Sequence, residues 1–172
     1  MSNYSEFNLQ GTEALKSVFR NHASGIAVLT STDDEGRPIG FTASSITSLG
    51  SNPPLVSFNI AQGSSSYPFL LPGKFVAMHT LDDSTLWLAQ RLAGDKSQRF
   101  DGTEKVGPEG VPIFEESNAI LIGQVREKFE VEANAVVVID VVSARTKSTE
   151  VNPLVYFQRA YHGLGKKLAD NS

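Results

Sequence analysis

Residues 119–145 constrain the fold more than any other stretch, because two strand-length patterns sit there on either side of Glu132-Ala133-Asn134. Residues 119–131 carry the alternating segment Val125-Arg126-Glu127-Lys128-Phe129-Glu130-Val131, and residues 135–145 carry the apolar run Val136-Val137-Val138-Ile139. Shorter strand signals precede and follow them with no regular alternation of strand and helix. The pattern therefore predicts a mainly β domain, an antiparallel barrel of six or seven strands with short helices, and excludes a doubly wound parallel sheet.

The remaining elements follow from local chemistry. Residues 12–22 read as an amphipathic helix with Thr12 as N-cap, Glu13 in the first turn, and Leu15, Val18 and Phe19 on one face, ended by Gly25. Ile26-Ala27-Val28-Leu29-Thr30 and Ile39-Gly40-Phe41-Thr42 form a hairpin around the turn chemistry of residues 33–38, and a further strand spans 55–60. Residues 63–71 read as a short helix opened by serines, with Pro68 in its first turn. A strand at 75–81 leads to a helix at 84–92, residues 94–117 form a long functional loop, and a strand at 154–158 completes the set.

Length and composition bound the function. A chain of 172 residues, 40% of them hydrophobic, suits one domain with a sizeable core. It contains no cysteine, so disulfides, thiolate nucleophiles and thiolate-held metals are excluded, and redox chemistry requires a bound cofactor. The three histidines lack metal-site spacing, and a net charge of −4 without a basic run argues against nucleic acid. Met1-Ser2-Asn3-Tyr4-Ser5-Glu6 lacks the charged and apolar pattern of a secretory signal, and no apolar run reaches membrane-spanning length. A soluble cytoplasmic protein is the expectation.

The densest chemistry lies in Gly40-Phe41-Thr42-Ala43-Ser44-Ser45-Ile46-Thr47-Ser48-Leu49-Gly50-Ser51-Asn52-Pro53-Pro54-Leu55-Val56. Short hydroxyls and small residues let a backbone approach an anion closely, so this bend is either a phosphate site or a plain connector. Ser64 and Ser66 admit the same two readings, as phosphate ligands or as ordinary caps. Arg99 and Lys96 read as phosphate partners or as solvated charges, and Trp87 and Phe100 as ring covers or as core. His79 reads as a satisfied core residue and His22 as a helix-end residue. Gly163-Leu164-Gly165-Lys166-Lys167 lacks the length and context of a phosphate loop.

The order Thr42-Ala43-Ser44-Ser45, Ser48, double proline, Leu55-Val56-Ser57-Phe58-Asn59-Ile60 resembles the flavin reductase-like family. These are FMN-binding split barrels that include the reductase components of two-component flavin monooxygenases. The resemblance continues through Phe75-Val76-Ala77-Met78-His79-Thr80-Leu81, Leu92-Ala93-Gly94, Arg99-Phe100 and Asn152-Pro153-Leu154-Val155-Tyr156-Phe157-Gln158-Arg159-Ala160-Tyr161-His162, covering about residues 13–165 of a single domain spanning 1–172.

That resemblance implies a homodimer whose barrels complete each flavin site, FMN (or FAD) as cofactor, NADH or NADPH as donor, and transfer of reduced flavin to a monooxygenase. It implies that Phe41, Thr42, Ala43, Ser44, Ser45 and Thr47 lie along the flavin, and that Ser48, Ser64 and Ser66 hold its phosphate. It also places Arg99, Phe100 and Tyr161 at the cofactor, and His162 at its open face. Many members carry Gly-Asp-His where this chain has Glu132-Ala133-Asn134, so Asn134 stands at the family histidine and cannot carry its positive charge. This leaves two rival readings: an FMN-binding protein without nicotinamide reductase activity, such as an electron carrier, a sensor or an oxidoreductase with another donor, and a ligand-free interaction module.

Overall fold

The computed structural model describes residues 8–147, 150–165 and 167–168. Its helices are α1 (Gly11–Arg20) and α2 (Leu86–Ala93). Its strands, in chain order, are β1 (Ser24–Gly25), β2 (Ala27–Thr32), β3 (Pro38–Ala43), β4 (Thr47–Ser51), β5 (Pro54–Ala61), β6 (Phe75–Thr80), β7 (Lys105–Val106), β8 (Pro112–Ile113), β9 (Ala119–Val131), β10 (Asn134–Thr146), β11 (Val155–Phe157) and β12 (Ala160–His162).

Seven strands form one antiparallel sheet in the order β3-β2-β6-β9-β10-β5-β4, which fits the predicted barrel. The β9–β10 hairpin is its spine. Register shifts at Val138/Ile139 and Val141/Ser143 bend the pair, and a Cβ on Gly123 would come within 2.8 Å of Ile139 Cδ1, so glycine lets the two strands crowd at the bend. The edge strand β3 meets β5, the neighbour of the opposite edge strand β4, through side chains. Ser45, just past β3, accepts the Asn59 N–H of β5 at 2.9 Å, and the Phe41 ring lies 6.0 Å from that of Phe58. The barrel is thus closed by packing and left split in its backbone hydrogen bonding.

Alternating side chains of β2, β5, β6, β9 and β10 fill the interior, among them Leu29, Phe58, Val76, Val125, Val137 and Ile139. The opposite face of β2 is covered by α2, where Val28 packs with Leu88, Ala89, Leu92 and Phe114. β2 is therefore buried on both faces. His79 of β6 sits in that outer cluster fully satisfied: Nδ1 bonds the Val28 carbonyl oxygen and Nε2 faces the Phe114 N–H, each at 3.1 Å. Burial pushes its pKa down to about 4, so the ring is neutral, with its proton on Nδ1.

Several expectations are corrected. α1 begins at Gly11 after an uncapped Gln10 and stops at Arg20, so Thr12 is not its cap and Gly25 does not end it. The hydroxyl-rich bend is partly a strand: β4 pairs with β5 from Thr47↔Ser57 to Ser51↔Pro54, with Asn52-Pro53 as the turn. Residues 63–71 hold one turn, Tyr67–Phe69, because the serines before it bond locally and do not open a helix. Val136 and Val138 are only half-buried, while Val137 and Ile139 are fully buried, so the apolar run alternates after all. The closing strand lies outside the barrel, in a small sheet of order β1-β11-β12, where Leu154 and Tyr156 pack under α2. Residues 1–6 and Lys166 lie outside the described residues.

Candidate functional site

The register of β5 lays polar residues out as a track. Ser48 stands opposite Val56, Thr47 opposite Ser57, Ser45 bonds Asn59, and Asn134 of β10 stands opposite Ala61. Beyond Ala61 the chain turns through Ser64–Ser66, and the Gln62 side chain bonds the Glu132 carbonyl at 2.8 Å, fixing this turn to the β9–β10 tip. Among the described residues, the backbone N–H groups of Ser44, Ser45, Gly63 and Ser65 bond no backbone acceptor, so these donors are open to a ligand.

The track ends in a groove of about 520 Å³ lined by Arg37, Gly40, Ser65, Ser66, Phe69, Lys96, Ser97, Arg99 and Phe100, with Asp33 on its wall. Arg99 is braced there. Its Nη1 donates to the Gly40 carbonyl at 2.8 Å and meets Ser65 Oγ at 3.5 Å, while Nε and Nη2 donate to the Gly94 carbonyl at 3.1 and 3.0 Å. Gly40 is required beneath it, since a Cβ would come within 2.7 Å of the Leu29 carbonyl. Arg37 is neutralised by Asp33 and Glu35. Burial pushes the Asp33 carboxyl up, but hydrogen bonds from Arg37 and Glu35 outweigh it and hold the group below the usual range. Lys96 and Arg99 form no carboxylate ion pair among the described residues, although Asp95 lies near both, its carboxyl held below the usual range by hydrogen bonds from Ser97 and then by these two cations.

These donors fit a flavin nucleotide: a mononucleotide phosphate suits braced guanidinium, ammonium and hydroxyl groups, and the open N–H groups suit polar ring edges. The structure separates, however, two groups expected to share the phosphate. Ser48 lies near the start of β5 and Ser64 beyond its end. Five residues of strand, or roughly 16 Å, part their registers, too far for one phosphate making bonds of about 2.8 Å. The turn at Tyr67 is also too short to act as a helix N-terminus for it.

Other expected site residues have structural partners. Thr42 Oγ1 donates to the Ala89 carbonyl at 2.6 Å, tying β3 to α2; Ala43 is buried and Phe41 packs on the barrel core. Ser66 is buried, with Oγ 3.5 Å from the Gly40 carbonyl, and Phe100 stacks on Phe114 at 6.0 Å. Ser44, Thr47 and Ser48 are exposed. Tyr161 packs under α2, edge-on to Tyr156 at 5.4 Å, and burial pushes its hydroxyl pKa up. His162 is exposed beside Phe157, with Nε2 3.2 Å from the Phe157 carbonyl. Both lie on the small sheet, so within one chain they do not line the track. The sequence left out Ser65, Arg37, Gln62 and Asn59; only the serine triplet signalled the first of them. Among the described residues no group of three His, Cys, Asp or Glu side chains is placed to hold a metal, and no helix is long and apolar enough to cross a membrane.

The flavin reductase like domain family matches residues 19–165, and the chain belongs to that family. It is 30% identical over 153 residues to an FMN reductase (NADH), RutF, of Pseudomonas syringae pv. syringae (strain B728a), covering 86% of this chain and 85% of that one. An NADH:FMN oxidoreductase of Rhodococcus erythropolis is 42% identical over 85 residues, 49% of this chain and 44% of the relative. Against several curated relatives the chain spans less than half their length. The crystal structure of a flavin reductase domain protein from Arthrobacter sp. FB24 superposes with a TM-score of 0.85 at 34% identity, covering 92% of this chain and 98% of that one.

Proposed function

We propose that this chain is an NAD(P)H-dependent flavin reductase that binds FMN along the β4–β5–β10 track and accepts hydride from a nicotinamide donor. The observation that carries the reading is the track itself: open N–H groups and hydroxyls at Ser44–Ser48 lead into a groove where Arg99, braced on Gly40 and Gly94, is free to meet a phosphate. The flavin's ring end belongs beside Ala43–Ser48, and its phosphate beside Ser64–Ser66, Lys96 and Arg99. When bound, flavin supplies the two-electron acceptor; the protein supplies orientation and a positive, hydrogen-bonding surround, so no general base is required. Asn134, opposite Ala61 and beside the turn to Ser64–Ser66, offers hydrogen bonds there without charge.

The outer face of β9 and β10 supports a homodimer. Phe129, Val131 and Val142 are more than half exposed there, beside half-buried Val136 and Val138, and among the described residues no helix covers them. A single domain over 1–172, a cytoplasmic location and delivery of reduced flavin to a monooxygenase complete the proposal, supported by the family match and the cysteine-free composition. Anaerobic stopped-flow mixing of the FMN-loaded protein with NADH or NADPH tests it. Bleaching of the oxidised flavin band is expected, and a flavin that stays oxidised with both donors overturns the reductase reading.

A further inference from the structure

A second cationic site lies far from the track in sequence and on a different sheet. The cleft between α1 and the β11–β12 hairpin, about 200 Å³, is lined by Lys16, Phe19, Arg20, His22, Tyr156, Gln158 and Arg159. No carboxylate lines it. Glu13, the one acid in α1, lines the neighbouring groove on that helix. Among the described residues, the side chains of Lys16, Arg20 and Arg159 make no ion pair, although the chain as a whole carries a net charge of −4. Lys16 and Arg20 stand four apart on one helix face, with Arg20 in the last turn, so two like charges meet at the mouth of the cleft.

The hairpin is strained in a way that serves this cluster. Val155↔His162, Tyr156↔Tyr161 and Phe157↔Ala160 pair, leaving Gln158-Arg159 as a two-residue turn with φ of 50° and 65°. Such turns favour Asn and Gly, since other side chains are crowded at positive φ. Here the turn keeps a long cation, and Gln158 secures it by donating from its backbone N to the Arg20 carbonyl at 3.2 Å and from Nε2 to Asn21 Oδ1 at 3.0 Å. Like charges gathered without a carboxylate, and an arginine at a left-handed turn position, cost local stability and leave the cleft suited to an anionic ligand.

We infer that this cleft binds the phosphate-bearing end of an adenine nucleotide. Guanidinium and ammonium groups suit a diphosphate, while Phe19, 59% exposed, and the half-buried Tyr156 offer aromatic faces to a base. The cleft is too small for a whole dinucleotide. The nucleotide is either the adenosine diphosphate end of the nicotinamide donor or a separate nucleotide that modulates the enzyme; only the first of these rests on the flavin reductase reading.

The test is calorimetric titration of ADP into FMN-saturated protein, repeated with the variants Lys16→Glu/Arg20→Glu and Arg159→Gly. ADP is expected to bind more weakly as salt rises, with affinity falling about tenfold or more in both variants while FMN affinity is unchanged. Arg159→Gly is expected to unfold at an equal or higher temperature, because glycine relieves the left-handed turn. ADP that competes with NADH in turnover identifies the donor end; ADP that changes the rate without competing identifies a separate nucleotide. Absence of ADP binding, equal binding by both variants, or displacement of ADP by FMN overturns the inference. A protein that binds ADP in this cleft but whose flavin is not reduced by NADH or NADPH overturns only the functional reading above.

Discussion

Arg99 donates from Nη1 to the carbonyl oxygen of Gly40 at 2.8 Å, so a cation from the segment after α2 is locked onto the edge strand of the barrel. Its two bonds to the Gly94 carbonyl fix the guanidinium plane, and lysine has no fork with which to repeat that geometry. Arg99→Lys is therefore expected to weaken FMN binding by about tenfold and Arg99→Ala by more, as read by quenching of flavin fluorescence. Wild-type affinity in both variants would remove Arg99 from the phosphate site.

The separation of Ser48 from Ser64–Ser66 along β5 makes a paired prediction. Ser65→Asp puts a carboxylate beside Arg99 and is expected to cost FMN affinity by at least an order of magnitude, or about 1.4 kcal/mol. Ser48→Asp, exposed at the far end of the strand, is expected to cost several-fold less. The reverse order in an equilibrium titration would move the phosphate to β4.

His79 makes folding stability depend on pH. Its folded pKa of about 4 lies below the ordinary histidine value of 6.5, so between these pH values the unfolded chain holds more protons than the folded one. Stability is expected to be complete above about pH 6.5 and to fall as the pH drops through the window towards 4, by at most about 3 kcal/mol. Denaturant midpoints measured across that range check the slope, and His79→Gln is expected to flatten it while lowering stability throughout. A slope of the opposite sign would mean that the ring is charged in the fold.

Thr42 ties β3 to α2 through the Ala89 carbonyl at 2.6 Å. Thr42→Val keeps the shape and removes the bond, with an expected loss of about 1 kcal/mol in thermal or chemical unfolding. FMN affinity is expected to fall little, because the hydroxyl points to the helix and not to the track.

The uncovered face of β9 and β10 predicts the assembly state. Phe129→Asp, placed where the side chain is 54% exposed, is expected to leave the monomer folded and to abolish dimers in sedimentation velocity. A variant that still dimerises would locate the interface elsewhere.

The barrel was legible in the sequence because its signals are local. The β2–β3 hairpin announces itself through its turn residues, and β9 and β10 run almost to the residues that periodicity predicts. β4 escaped notice because five exposed, hydroxyl-rich residues carry no apolar alternation; only pairing with β5 makes them a strand. The closing strand was found but misplaced, since three residues hold no record of which sheet they join. The serines of the site were visible by type, but their bracing was not. Arg99 meets Gly40 across 59 residues, and no short-range pattern encodes that contact.

β2, covered by the barrel interior on one side and α2 on the other, stands in contrast to β4, whose residues are all exposed at the free margin of the sheet. Amide protons of β2 consequently exchange with deuterium only when the whole domain opens, whereas those of β4 exchange through local fraying. Ligand capture along the track would thus register as slowed exchange in the most labile strand against an unchanged reference in the most protected one, giving an internal clock for occupancy that needs no coloured cofactor.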